Sequence, residues 1–298
     1  MKYRKLEILV QALLLLCLVS APSFASDVKD AENQDDSLDL FDDDTEYKDS
    51  GWPLFNISAG VTYLDANGVL GARPPNGNLV TIIDFDRIGL DESDASHWFT
   101  LTWRSKNTRW GAWLANWRYD VNGQRSWPGE WPLDENISIP VGARLDSHFD
   151  ADWYVLEATY SFFQNEKFDA GLGIGFHIVD LETDLSAHID VGGQSVEIYR
   201  GDLDTLAPLP NILAYLHWRF HPRWETVMRA GWFGLDYDIY SGAMTNAHAM
   251  VSFMVSERFS LGVGYQFVNL DLDIERKNYQ EIYDIDFYGP ILFARFRF

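Results

Sequence analysis

The chain has 298 residues, with 45 acidic against 23 basic side chains, a net charge of −22 and a single cysteine. Such acidity excludes nucleic acid as a partner, since affinity there comes from neutralising phosphates with Lys and Arg. One cysteine excludes a disulfide framework and cysteine-ligated metals.

The first residues carry Lys2, Arg4 and Lys5, then an apolar run from Ile8 to Val19, then Ser23-Phe24-Ala25. A basic start, a short apolar stretch and small residues define a secretory signal peptide over 1–25, cut after Ala25. The run is too short for a membrane-spanning helix of ~20 residues. The cysteine, Cys17, lies inside this segment behind Leu16, which is too large for lipoprotein processing. Residues 26–50 hold 9 Asp, 2 Glu and 2 Lys. Like charges repel and few groups can enter a core, so this stretch reads as an acidic disordered tail.

From Gly51 to Phe298 the pattern has period two, the signature of strands rather than helices. In "FNISAGVTY" Phe55, Ile57, Ala59, Val61 and Tyr63 face one side. In "WYVLEATYSF" Tyr154, Leu156, Ala158, Tyr160 and Phe162 oppose Glu157, Thr159 and Ser161. In "DAGLGIGFHIV" Leu172, Ile174, Phe176 and Ile178 oppose three glycines and His177. The alternation predicts ten strands, at 53–65, 94–105, 109–121, 150–164, 167–181, 208–220, 223–236, 245–256, 258–271 and 285–298. The stretches 79–90 and 137–145 leave eight or twelve open. Tight turns ("SKNT", "QNEK", "HPR", "SER") alternate with long polar stretches near 65–93, 121–150, 181–206, 236–245 and 270–285. Short on one side and long on the other is the pattern of an up-and-down transmembrane β-barrel.

The contents of the polar face separate a membrane barrel from a soluble one with an apolar interior. That face carries Arg104, Arg118, Glu157, His177, His217, Arg219, Glu225, Arg229, Arg295 and Arg297, which form the expected lumenal polar network. Bulky side chains, Trp113, Trp117, Trp218, Trp232, Phe253 and Phe296 among them, are assigned to the outer face. Aromatics crowd the strand ends beside the tight turns, as they do at a lipid–water interface. The expectation is an all-β, closed antiparallel barrel with a polar lumen and long acidic external loops.

The last strand, "GPILFARFRF", resembles the C-terminal assembly signature of bacterial outer-membrane β-barrel proteins. The matching positions are Phe298, Phe296, Ala294 and Leu292. Ala294 is smaller than the pattern favours. The resemblance implies the outer membrane of a Gram-negative envelope as location, its lipid and lipopolysaccharide as surroundings, and the barrel-assembly machinery as partner.

Candidate chemistry is thin. Asp146, His148, Asp150 and Asp152 share one face and form a candidate weak metal site. Their parity is that of Tyr154 and Leu156, so the competing reading is a solvated segment just above the membrane. A reactive site at His177, Glu157, His217 and Arg219 competes with a salt-bridged plug filling a narrow barrel. Acidic external stretches (Asp180 to Asp204, Asp271 to Asp286) could hold Ca²⁺ or Mg²⁺ against lipopolysaccharide; no other cofactor is expected. No residue is assigned as catalytic. The leading function is a structural or porin-like small-solute channel. The alternatives are an outer-membrane enzyme, either a lipid A hydrolase or a protease, and a loop-borne adhesin.

Overall fold

The computed structural model describes residues 52–73, 81–90, 93–106, 109–132, 138–237, 239–277 and 279–298. The expected signal peptide and acidic tail lie outside these residues. The strands are β1 (Phe55–Arg73), β2 (Thr81–Asp84), β3 (Asp94–Arg104), β4 (Trp110–Ser126), β5 (Trp131–Pro132), β6 (Ser138–Ile139), β7 (Arg144–Gln164), β8 (Phe168–Val191), β9 (Gln194–His221), β10 (Trp224–Tyr237), β11 (Tyr240–Met254), β12 (Phe259–Glu275) and β13 (Gln280–Arg297). One short helix, α1 (Phe85–Ile88), follows β2.

Ten of these strands form the barrel. The antiparallel order β13-β12-β11-β10-β9-β8-β7-β4-β3-β1 closes on itself through β13 against β1, from Asn56↔Arg297 to Arg73↔Gln280. Closure pairs both end strands of the ring, and inside a bilayer that is the condition for a strand to survive. The predicted number of ten strands matches. β2 lies as a short addition on β1, and β5 and β6 pair as a separate ribbon.

The long polar stretches differ from expectation. Most of 181–206 and 270–285 is strand rather than loop. β8 has 24 residues and β9 has 28; at ~3.3 Å per residue β9 runs roughly 90 Å, about three times a membrane strand. Continued antiparallel pairing satisfies backbone groups that a loop would leave to water.

Along these long strands the two faces exchange character. At the end with the tight turns, outward positions are apolar and exposed: Phe55, Ile57, Val61 and Tyr63 on β1, Leu172, Ile174 and Phe176 on β8, Leu292 and Phe296 on β13. Inward positions at this level are polar and buried: Ser58, Glu157, His177, Glu225, Gln266, Arg295 and Arg297. Toward the other end the outward residues become Asp65, Asp152, Asp180, Asp271 and Asp286. Inward residues there become Leu64, Leu70, Phe149, Leu181, Leu270, Ile285 and Phe287, all in one hydrophobic cluster. The parity of the chain is unbroken; what reverses is which face meets water.

In the apolar half buried side chains form one continuous cluster. Trp117 and Trp153 stack at 4.8 Å, and the Phe287 ring meets Tyr119, Trp153 and Phe149. Into this core α1 inserts Phe85 and Ile88. Gly89, at φ 79°, ends the helix in a left-handed conformation that favours glycine. Ser147 Oγ donates to the Ile88 carbonyl at 2.6 Å and Tyr119 to that of Leu90 at 3.2 Å. A Cβ on Gly123 would lie 2.5 Å from the Ile88 and Gly89 carbonyl oxygens, so the helix end needs glycine in the facing strand.

Two seams of the wall are interrupted: the β3–β4 ladder stops at Trp98↔Trp117, short of the ends of both strands, and the β9–β10 ladder also stops early. The β9–β10 ladder ends at Trp232↔Ile212, while the β8–β9 ladder runs on through Pro210 and Pro208. An unbroken ladder on the β8 side means that the donors these prolines lack are those facing β10. Proline is tolerated where a strand has become an edge.

Candidate functional site

The polar half of the lumen is a set of three charged nodes, all in the first half of the barrel from the tight turns. At the first, Glu157 on β7 pairs with Arg229 of β10, and His177 Nε2 lies 3.7 Å away. Asn211 Nδ2 donates to Glu157 at 3.2 Å. The Arg229 guanidinium lies 4.4 Å from the Trp113 ring centroid, so a cation–π contact adds to the ion pair. At the second, Glu225 meets Arg295 at 2.9 Å, and also Arg297, with His217 Nε2 at 3.3 Å. Ser252 Oγ donates to the same carboxylate at 3.2 Å. At the third, Arg104 pairs with Asp169, whose other oxygen accepts from the Tyr215 hydroxyl at 3.2 Å. Gly171 makes room here: a Cβ would sit 2.5 Å from the Tyr215 ring.

Burial explains the pairing. Glu157 and Glu225 are each 2% exposed, and an isolated charge so placed would be strongly penalised. Each carboxylate therefore has an arginine on a neighbouring or facing strand.

Between the nodes lies a cavity of about 60 Å³, bordered by Trp52, Arg104, Tyr215, His217, Arg229 and Arg295. A water requires roughly 10–15 Å³ of such space, so the cavity has room for a few waters. Its floor is Trp52, just before β1. The indole N–H donates to the Asn165 carbonyl at 2.8 Å. Its ring rests against His217 at 4.1 Å and the Arg219 guanidinium at 4.3 Å. The alternation of the strands gave no hint of Trp52, because it precedes them and acts as a stopper.

Of the residues expected in the lumen, Arg104, Glu157, His177, His217, Arg219, Glu225, Arg229, Arg295 and Arg297 sit inside. Arg118 does not. It projects outward from β4, with Nε 2.8 Å from Asp150 Oδ1 and Nη2 2.9 Å from Asp120. Trp113 and Trp117, assigned to the outer face, point inward and are 4% and 1% exposed. On β4 the exchange of faces comes early, so a polar-inside rule assigns these three to the wrong side. Phe296, Phe298 and Leu292 face outward and are exposed, as the C-terminal pattern implies; Ala294 shares their parity.

Asp146, His148, Asp150 and Asp152 do line one outward face of β7. They are engaged by other partners rather than converging. Asp146 meets Arg144, Gln124 and His188; Asp150 meets Arg118; His148 lies 3.6 Å from Asp120. Among the described residues no three His, Asp or Glu side chains are grouped to hold a metal ion. β7 keeps an unshifted register with β4 through these residues.

This outward face is instead part of an acidic collar. Asp120, Asp150, Glu182 and Asp204 stand directly opposite one another across β4, β7, β8 and β9. On the far side Asp271 opposes Asp284. Like charges directly opposite destabilise a sheet. Burial and the Asp150 charge raise the pKa of Asp152; burial and Asp271 raise that of Asp284. Glu281, expected among these external acids, points inward and is 1% exposed, held by Arg276 at 2.9 Å and by Thr205.

No family model matches the chain, and no curated protein matches it in sequence. Solved structures match its fold. The outer membrane protease OmpT of Escherichia coli aligns over 82% of this chain and 97% of its own, with a TM-score of 0.53 and 11% identity. The transport unit of the autotransporter AIDA-I, also from Escherichia coli, covers 87% and 94% with a TM-score of 0.38 and 8% identity. Neisserial surface protein A covers 82% and 97%, with a TM-score of 0.32 and 11% identity. The fold is that of an outer-membrane β-barrel.

Proposed function

We propose that this barrel is a non-conducting anchor in the outer membrane of a Gram-negative envelope, and that it works through its outer surface rather than its lumen. The tight turns and both ends of the barrel sequence lie toward the periplasm; the collar of long strands stands on the cell surface. One observation carries this reading: the interior is filled at both levels. Salt-bridged side chains and Trp52 close the membrane half, and interlocked aromatics close the collar. This favours the structural and loop-borne readings over the porin-like one. In planar bilayers the purified protein gives no unitary current at any voltage; discrete, reproducible steps overturn the proposal.

The collar supplies the surface chemistry. Its facing carboxylates suit Ca²⁺ or Mg²⁺ bridging to the phosphates of lipopolysaccharide, hard cations on oxygen ligands. Thermal stability in lipopolysaccharide-containing membranes falls on adding chelator; indifference to chelator refutes the bridge. The outward Phe298, Phe296, Ala294 and Leu292 support recognition of β13 by the barrel-assembly machinery. Deleting Phe298 impairs assembly, and full insertion of the deletion variant counts against it. The likeness to a protease concerns the fold alone and supports no activity here.

A further inference from the structure

The tight turns share a feature that the fold does not require. Each one ends in a basic residue followed at once by the aromatic that opens the next strand: Arg109-Trp110, Lys167-Phe168, Arg223-Trp224 and Arg258-Phe259. Four turns out of four repeat this order. Lys106 adds a fifth cation in the first of them.

Each of these aromatics meets another ring. Trp110 meets Tyr160 at 5.3 Å, Phe168 stacks on Trp218 at 5.6 Å, Trp224 meets Phe253 at 5.0 Å, and Phe259 meets Phe296 at 5.0 Å. Trp110 is 53% and Trp224 40% exposed, on the outward face. Such rings settle at the boundary between hydrocarbon and headgroups. The basic residue beside each ring is thereby held at headgroup depth.

The cations themselves are unclaimed. Lys106, Arg109, Lys167, Arg223 and Arg258 are exposed, and none forms an ion pair among the described residues. Elsewhere arginines meet carboxylates: Arg87, Arg118, Arg144, Arg200 and Arg276 toward the collar, and Arg104, Arg229, Arg295 and Arg297 inside; Arg219 instead lies on the Trp52 ring and donates to the Glu166 carbonyl. Arg109 donates to the Phe162 carbonyl at 3.0 Å, which keeps the guanidinium against the rim. Among the described residues the acidic side chains in these turns are Glu166 and Glu257, so five cations face two anions. This is the reverse of the collar, where carboxylates dominate.

We propose that this rim is a binding surface for anionic phospholipid headgroups of the inner leaflet, with each basic–aromatic pair taking one lipid. The cation meets the phosphate and the ring lies along the upper acyl chain. Successive turns are two strands apart, roughly 10 Å around the rim, so the pairs act as separate sites. Arg suits this role because its planar fork can bind two phosphate oxygens together. The proposal rests on the membrane placement given above.

The test uses the full-length protein reconstituted in nanodiscs of phosphatidylglycerol and phosphatidylethanolamine. Annular lipid is recovered in mild detergent, and its headgroup ratio is measured by native mass spectrometry. The wild type retains phosphatidylglycerol at several times its bulk share. The variant R109Q/K167Q/R223Q/R258Q retains the bulk ratio, and R109K/R223K/R258K keeps the enrichment. Heat-shifted gel migration and circular dichroism establish that each variant is folded. A wild-type shell of bulk composition overturns the proposal, as does enrichment that survives in the fourfold Gln variant. Charge-dependent binding to peptidoglycan sacculi without lipid enrichment also overturns it, in favour of a polymer partner. A protein that does not enter nanodiscs at all refutes the membrane placement instead, so the two failures are distinguishable.

Discussion

Glu225→Gln is the sharpest probe of the lumen. The substitution keeps shape and removes one charge. Glu225 is 2% exposed and holds Arg295 at 2.9 Å, Arg297, and His217 at 3.3 Å. Without the carboxylate, two arginines with side chains 8% and 7% exposed face each other uncompensated. Breaking a buried pair by removing one partner costs about 3–5 kcal/mol. With a denaturant slope of ~2–3 kcal/mol per molar urea, the unfolding midpoint in detergent micelles falls by roughly 1–2.5 M. Pairing E225Q with R295Q restores part of the loss, because one of the orphaned charges goes too, and a double-mutant cycle gives the coupling directly. The variant remains electrically silent in bilayers, since the aromatic layer in the collar is untouched. An E225Q unfolding free energy within ~1 kcal/mol of wild type refutes the claim that this node is desolvated; current through E225Q refutes the two-level closure.

Trp52→Ala removes the floor of the cavity and the stacking on His217 and Arg219, and lowers stability by about 3–5 kcal/mol without opening a conducting path; denaturation and bilayer recordings check both halves. Phe287→Ala, at the centre of the collar core, costs a similar ~3–5 kcal/mol and raises hydrogen exchange in the collar while the membrane strands stay protected. The collar carries its own pH dependence. Asp94, Asp152 and Asp284 have pKa values raised chiefly by burial. A raised carboxylate contributes stability that is full below the ordinary aspartate range and is lost as pH rises through its folded value. The melting temperature in chelator therefore increases as pH is lowered from neutral toward that range, and a flat or opposite profile refutes it. Arg118→Gln leaves Asp120, Asp150 and Asp152 facing one another; it costs about 0.5–1 kcal/mol, and the loss shrinks with added salt, as thermal melts at two ionic strengths show.

The fold was written plainly in the part of each strand that crosses the membrane. There, outward Phe296 and Leu292 alternate with inward Arg295 and Arg297, and the tight turns give the hairpins. That reading yields ten strands and places nine of the ten expected lumenal residues inside. Three things were hidden. Residues 181–206 read as loop because an outward Asp or Glu alternating with an inward Leu or Thr has the composition of a polar loop, although it suits a strand in water. α1 is four residues long and has no helical stripe to show. Trp52 belongs to no periodic element, and its role depends on Arg219 and His217, more than 160 positions away.

The misplacement of Trp113, Trp117 and Arg118 shows why period two alone is an incomplete code. Alternation fixes which residues share a face, and that grouping held throughout β4. It does not say which face is inside; that follows from the solvent outside. Where lipid surrounds the barrel, the outward face must be apolar and the interior can afford charges, provided each is paired. Where water surrounds it, the same geometry demands an apolar interior and polar outward residues. A strand that continues from one solvent into the other must therefore invert its polarity without changing its parity. On β13 the inversion falls between Leu292 and Asp286; on β4 it has occurred by Arg118. The position of the inversion on each strand thus marks the edge of the hydrocarbon. It also marks where the salt-bridged plug gives way to the aromatic core, so the membrane boundary and the change in interior chemistry are one event read from two sides of the wall.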